Sequence, residues 1–85
     1  EEFAILLPET TLQGAVDVAE RLREAIGLAK VTREEGVPLR ITVSIGVAAL
    51  AGFENLDTLM SQADSALYDA KHRGRNRVRA HGQPD

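Results

Sequence analysis

A chain of 85 residues with a formal net charge of −3 is at most one small domain, with a core near the lower limit for independent folding. The absence of cysteine excludes a disulfide framework and a thiolate zinc site. An apolar share of 44% excludes a disordered chain, and no apolar run approaches the ~20 residues that a membrane span needs. The charge is unevenly divided. Residues 1–70 hold five Arg/Lys against twelve Asp/Glu, a balance of −7, whereas residues 71–85 hold five against one, a balance of +4. An acidic body with a short basic end does not suit duplex DNA, which calls for a broad basic face; a phosphate-bearing small ligand suits it better. The start, Glu1-Glu2-Phe3, has neither Met nor the regions of a signal peptide. We therefore expect a chain that begins inside a longer protein, in a cytoplasmic setting.

Phe3-Ala4-Ile5-Leu6-Leu7, closed by Pro8, is a continuous apolar run too short for a helix and reads as a strand buried on both faces. Thr10 or Thr11 is placed to cap the next element. Leu12, Ala15, Ala19, Leu22 and Ile26 then recur at spacings of three and four, the stripe of a helix. Gly27 loosens its last turn, so fraying is expected between Ile26 and Lys30. Thr32 to Pro38 is polar and reads as a loop.

From Leu39 the alternation is plain. Leu39, Ile41, Val43, Ile45 and Val47 share one face of a strand, while Arg40, Thr42, Ser44, Gly46 and Ala48 share the other. A glycine inside a strand marks close approach of a helix or of a ligand, and the pattern favours the helix. Asn55 is placed to cap a second helix, buried through Leu56, Leu59, Met60, Ala63, Ala66, Leu67 and Ala70. Gly74 ends it as the residue of positive φ. Arg77 to Ala80 reads as a short edge strand and residues 81–85 as a tail or linker. The order strand, helix, strand, helix, strand predicts an α/β fold with parallel pairing through right-handed crossovers, a hairpin between two strands being the alternative.

Two groups of residues are candidates for chemistry. Lys71 and Arg75 stand four residues apart across the end of the second helix. Cations there stabilise the helix macrodipole, by roughly 0.3–1 kcal/mol each; equally, a guanidinium just past a glycine turn forks onto phosphate oxygens, with a nearby ammonium as a point charge. Glu1 and Glu2 are adjacent acids ahead of a strand, so their side chains point to opposite faces. They are either solvated acids or, at a strand end, ligands for Mg²⁺. Asp64 and Tyr68, one helical turn apart, read as structural. His72 and His81 show no metal-ligand spacing.

The run Ala63 to Asn76 closely resembles the end of the GGDEF domain of diguanylate cyclases, a pattern similar to A-D-x-A-L-Y-x-A-K-x-x-G-R-N. Thr42-Val43-Ser44-Ile45-Gly46-Val47 resembles that family's T-V-S-I-G-V strand, and Glu1-Glu2-Phe3 resembles the last three letters of a GGEEF motif. These matches cover the chain to about Val78. The resemblance implies the C-terminal part of a GGDEF domain over residues 1–80, with a palm-like α/β (α+β) sandwich similar to nucleotidyl cyclases. It implies a diguanylate cyclase, a nucleotidyltransferase that joins two GTP molecules into cyclic di-GMP, each subunit of a homodimer holding one.

On that resemblance Glu1 binds the metal, Mg²⁺ or Mn²⁺, and assists deprotonation of a ribose 3′-hydroxyl. Glu2 is the second catalytic acid, and Lys71 and Arg75 hold the GTP phosphates. The implied partners are GTP, a second copy of the parent domain and an upstream sensory or receiver domain. No nucleic acid is implied, and a membrane only through a segment not in this chain. The motif's glycine pair and everything before it are missing from the sequence, so the isolated chain is expected to be inactive. Its unpaired Phe3–Leu7 edge is expected to promote association. The alternative function is a degenerate GGDEF domain that binds GTP or regulates a neighbour.

Overall fold

A computed structural model describes residues 2–5, 7–29, 31–32, 36, 38–50 and 55–85. In chain order the elements are α1 (Leu12–Leu28), β1 (Val31–Thr32), β2 (Pro38–Leu39), β3 (Ile45–Val47), α2 (Leu56–His72) and β4 (Val78–Ala80). Both long helices begin where the sequence places a side-chain cap. Thr11 Oγ1 accepts the Gly14 N–H at 3.0 Å, and Asn55 Oδ1 accepts the Thr58 N–H at 2.9 Å. Each bond satisfies one of the amide donors that a first helical turn leaves free.

β3 and β4 pair in parallel, with Ile45 opposite Val78, Gly46 opposite Arg79 and Val47 opposite Ala80. The connection between them runs through α2, as parallel neighbours require. The core sits where α1, α2 and β3 meet and is built from small side chains: Ala19, Val47, Ala66 and Ala70 are its buried apolar members. Gly46 explains how close the layers come. A Cβ at that position would lie 2.7 Å from Leu67 Cα, and closer still to Leu67 N and Ala63 O. The small face of this strand thus admits the backbone of a helix, which is the reading the alternation favoured over a ligand.

Three expectations about strands need correction. The described residues of the run from Phe3 to Leu7 form no ladder, and Phe3 and Ile5 are 87% and 70% exposed. A continuous apolar run becomes a strand buried on both faces only when neighbours flank it, and none does so among the described residues. Along the alternating stretch from Leu39, only Ile45–Val47 pairs with β4, and residues 40–44 join no ladder. The stretch read as a loop also begins and ends in a ladder, since β1 and β2 pair antiparallel with Val31 opposite Leu39 and Thr32 opposite Pro38. Alternation reports which residues would share a face; it does not say which of them find a partner strand.

Candidate functional site

The C-terminal end of α2 is shaped by its glycine. Arg73 is the cap, with its N–H on Asp69 O, and Gly74 follows at φ 118°. The Arg75 N–H then folds back to Ala70 O at 3.0 Å, the six-to-one bond that closes a helix through a left-handed residue. Arg75 and Asn76 continue in the left-handed region at φ 64° and 48°. The resulting turn presents Arg75 to solvent, and its guanidinium makes no side-chain hydrogen bond among the described residues.

Lys71 lies in the last turn of the same helix. Its Nζ is 3.2 Å from Glu2 Oε2, with side-chain exposures of 35% and 63%. Glu2 is therefore brought to the cationic helix end, 69 positions away in sequence. Glu1 lies outside the described residues. Of the four candidate residues, Glu2 and Lys71 meet directly, while Arg75 projects from the turn that follows Lys71. The described residues contain no group of three or more His, Asp or Glu arranged around a common point.

Asp64 is exposed. Tyr68 is 65% exposed and stacks on His72, with ring centroids 3.8 Å apart and an interplanar angle of 25°. His72 Nδ1–H donates to Tyr68 O at 2.9 Å. The helix surface accounts for all three residues without a ligand.

Two networks escaped the sequence reading. In the first, Arg23 Nη1 donates to Asn76 Oδ1 at 3.0 Å, while Ser44 Oγ accepts the Asn76 N–H at 3.1 Å. In the second, Asp69 takes Arg73 Nε on Oδ1 at 2.9 Å and Arg79 Nε on Oδ2 at 2.6 Å. The hydrogen bond from Arg73 holds the Asp69 carboxyl below its ordinary range, against the opposing effect of burial and with further help from Arg79. Arg79 also donates to Gln83 O and Pro84 O, and Arg73 pairs with Asp85, so residues 81–85 are fastened along α2. The four-residue spacing of Asp69 and Arg73 was a visible signal. Nothing in a single sequence links Arg23 to a residue 53 positions away.

An ammonium, an exposed guanidinium and a carboxylate thus share one end of the fold. Such an arrangement suits a ligand rich in phosphate oxygens, with Lys71 as a point charge and Arg75 as a planar fork.

The family model described as "Diguanylate cyclase, GGDEF domain" matches residues 1–77, and the chain belongs to that family. It is 51% identical over 80 residues to the diguanylate cyclase DgcM of Escherichia coli K12, covering 94% of this chain and 18% of that protein. With the diguanylate cyclase DgcP of Pseudomonas aeruginosa it shares 44% identity over 78 residues, covering 92% of this chain and 12% of the relative. Among solved structures, it superposes on the GGDEF domain of DgcB from Caulobacter crescentus, crystallised with c-di-GMP, at a TM-score of 0.85. That match has 32% identity and covers 91% of this chain and 45% of the other. The active GGEEF domain of a diguanylate cyclase from Vibrio cholerae gives a TM-score of 0.78 at 28% identity, covering 92% of this chain and 49% of that one. The chain spans less than a quarter of these curated relatives and less than half of either solved chain.

Proposed function

We propose that this chain is the C-terminal part of a diguanylate cyclase domain, in a parent protein that condenses two GTP molecules into cyclic di-GMP. The observation that supports this reading is the approach of Lys71 Nζ to Glu2 Oε2 at 3.2 Å, one acid of the cut motif beside one cation of the helix end. Membership of the GGDEF family supports the reaction class, and the cyclase relatives support an active parent over a degenerate one.

In this reading Lys71 and Arg75 bind the phosphates of one GTP and neutralise charge that builds on them as the 3′-hydroxyl of a second GTP attacks the α-phosphorus and pyrophosphate departs. Positioning and charge compensation then supply most of the catalysis. Glu1 takes part in removing the 3′-hydroxyl proton. The acids would also hold Mg²⁺ or Mn²⁺: Glu2 offers an exposed hard-oxygen donor beside Lys71, and such ions bind through one or two carboxylates plus phosphate oxygens and water. When bound, a cation of this kind neutralises phosphate charge and orients the leaving group. Joining two nucleotides calls for two copies of the parent domain, each holding one GTP. The setting is cytoplasmic, where GTP is available, with residues 1–80 in the domain and residues 81–85 leading out of it.

The 85-residue chain alone is proposed to be inactive, because it spans under half of the solved GGDEF chains it matches. The test is cyclic di-GMP formation from GTP and Mg²⁺ by the full-length protein, its Glu1→Gln variant and the isolated chain. Activity in the first alone is expected. A full-length protein that binds GTP without turning it over would replace this reading with the regulatory one.

A further inference from the structure

The turn that presents Arg75 has a conformation that its own sequence explains at Gly74 and in part at Asn76, but not at Arg75. Gly74, Arg75 and Asn76 stand in succession at φ 118°, 64° and 48°; asparagine tolerates that region better than other residues with a Cβ, whereas arginine is disfavoured there. Two distant side chains hold them there. Ser44, just before β3, accepts the Asn76 N–H at 3.1 Å, and Arg23, from α1, reaches Asn76 Oδ1 at 3.0 Å. Arg23 is itself oriented by Glu20, whose Oε2 accepts Arg23 Nε and Nη2 at 3.2 and 2.9 Å. With Nε and Nη2 committed to that carboxylate, Arg23 is a neutralised strut more than a free cation, and Nη1 serves the turn.

We propose that Arg23 and Ser44 are positioning residues for Arg75, acting through Asn76 to fix the direction in which its guanidinium meets phosphate. This inference rests on the reading of Lys71 and Arg75 as a phosphate grip. It assigns the accuracy of that grip to α1 and to the strand that enters the sheet, in addition to the glycine turn itself.

The experiment is calorimetric titration of inorganic triphosphate, with Mg²⁺, into the full-length protein. Arg23→Met and Ser44→Ala are each expected to weaken binding about tenfold, roughly the effect of losing one hydrogen bond. Asn76→Gly keeps the backbone conformation but removes the acceptor, so it should match Arg23→Met. The Arg23→Met/Asn76→Gly double variant should bind no more weakly than either single one, since both delete the same bond. Asn76→Asp retains the acceptor and should restore binding close to wild type. If Arg75→Met weakens binding while Arg23→Met and Ser44→Ala do not, the positioning role is overturned and the phosphate grip stands. Multiplicative losses in the double variant would also overturn it, because Arg23 would then act on the ligand directly. If Arg75→Met binds as wild type does, the grip itself is wrong and this inference falls with it. Should Arg23→Met fail to fold, Ser44→Ala and Asn76→Gly carry the same test.

Discussion

Arg79 Nε donates to Asp69 Oδ2 at 2.6 Å, tying the last strand to the helix that carries the cationic end. Arg79 is the buried charged residue of the described chain, and its Nη2 donates to the carbonyls of Gln83 and Pro84. A buried guanidinium is tolerable only when its donors are satisfied. Arg79→Met is therefore expected to cost about 2 kcal/mol, the range for hydrogen bonds to charged groups, measured by urea unfolding. It should also release residues 81–85, read out as faster amide exchange there.

The same carboxylate sets a pH dependence. Asp69 is held below its ordinary value of 3.8, first by the hydrogen bond from Arg73. A carboxyl whose pKa is depressed by folding contributes stability above its unfolded pKa, and that contribution disappears as pH falls through the folded value. Melting temperature should therefore decline below about pH 3.8, more steeply in the wild type than in Asp69→Asn. Parallel declines in the two proteins would show that Asp69 does not set this dependence.

Gly46 admits no side chain. Its Cβ would sit 2.7 Å from Leu67 Cα and nearer still to two backbone atoms, which cannot swing aside as a flexible side-chain end can. Gly46→Ala must push α2 away from β3 and open the alanine-lined core. The expected cost is about 3 kcal/mol, the upper part of the usual overpacking range. A loss below about 1 kcal/mol by urea unfolding would show that the helix shifts freely, unlike a close-packed interior.

The parts of this molecule legible in its sequence are those set by neighbours along the chain. Thr11 and Asn55 announce helix starts because a cap acts across three residues, and Gly74 announces a stop because only local backbone geometry is involved. The failures share the opposite property. Phe3 and Ile5 carry a strand's apolar signature, but burial depends on which neighbours lie alongside. Arg40 to Ser44 alternate as a strand should, but pairing depends on a partner's register. For the candidate site, motif resemblance singled out Glu2, Lys71 and Arg75. The side chains that hold the Arg75 turn, Arg23 and Ser44, were not singled out for that role, since their ties to Asn76 span 53 and 32 positions.

The two caps provide a quantitative check on that local legibility. Thr11→Ala and Asn55→Ala each remove one side-chain acceptor from a first helical turn and should each cost about 1 kcal/mol. The two caps share no partner, so the double variant should lose the sum to within about 0.5 kcal/mol. A double variant that loses much more would mean that the two helix starts unfold as one unit.

Lys71 offers the sharpest separation of stability from function. Its pair with Glu2 joins a half-buried ammonium to an exposed carboxylate, and ion pairs open to solvent in this way contribute between about 0 and 1 kcal/mol. Lys71→Met keeps the aliphatic stem and discards only the charge, so the melting curve of the full-length protein should barely move. Turnover of GTP to cyclic di-GMP should nevertheless fall about a hundredfold, the usual cost of losing one group that stabilises developing charge. If that stabilisation is specific to the transition state, kcat and kcat/KM should fall together. A rise in KM alone would instead assign Lys71 to ground-state binding. Unchanged turnover would leave it as a cation serving the helix dipole, the bland role that its position also allows.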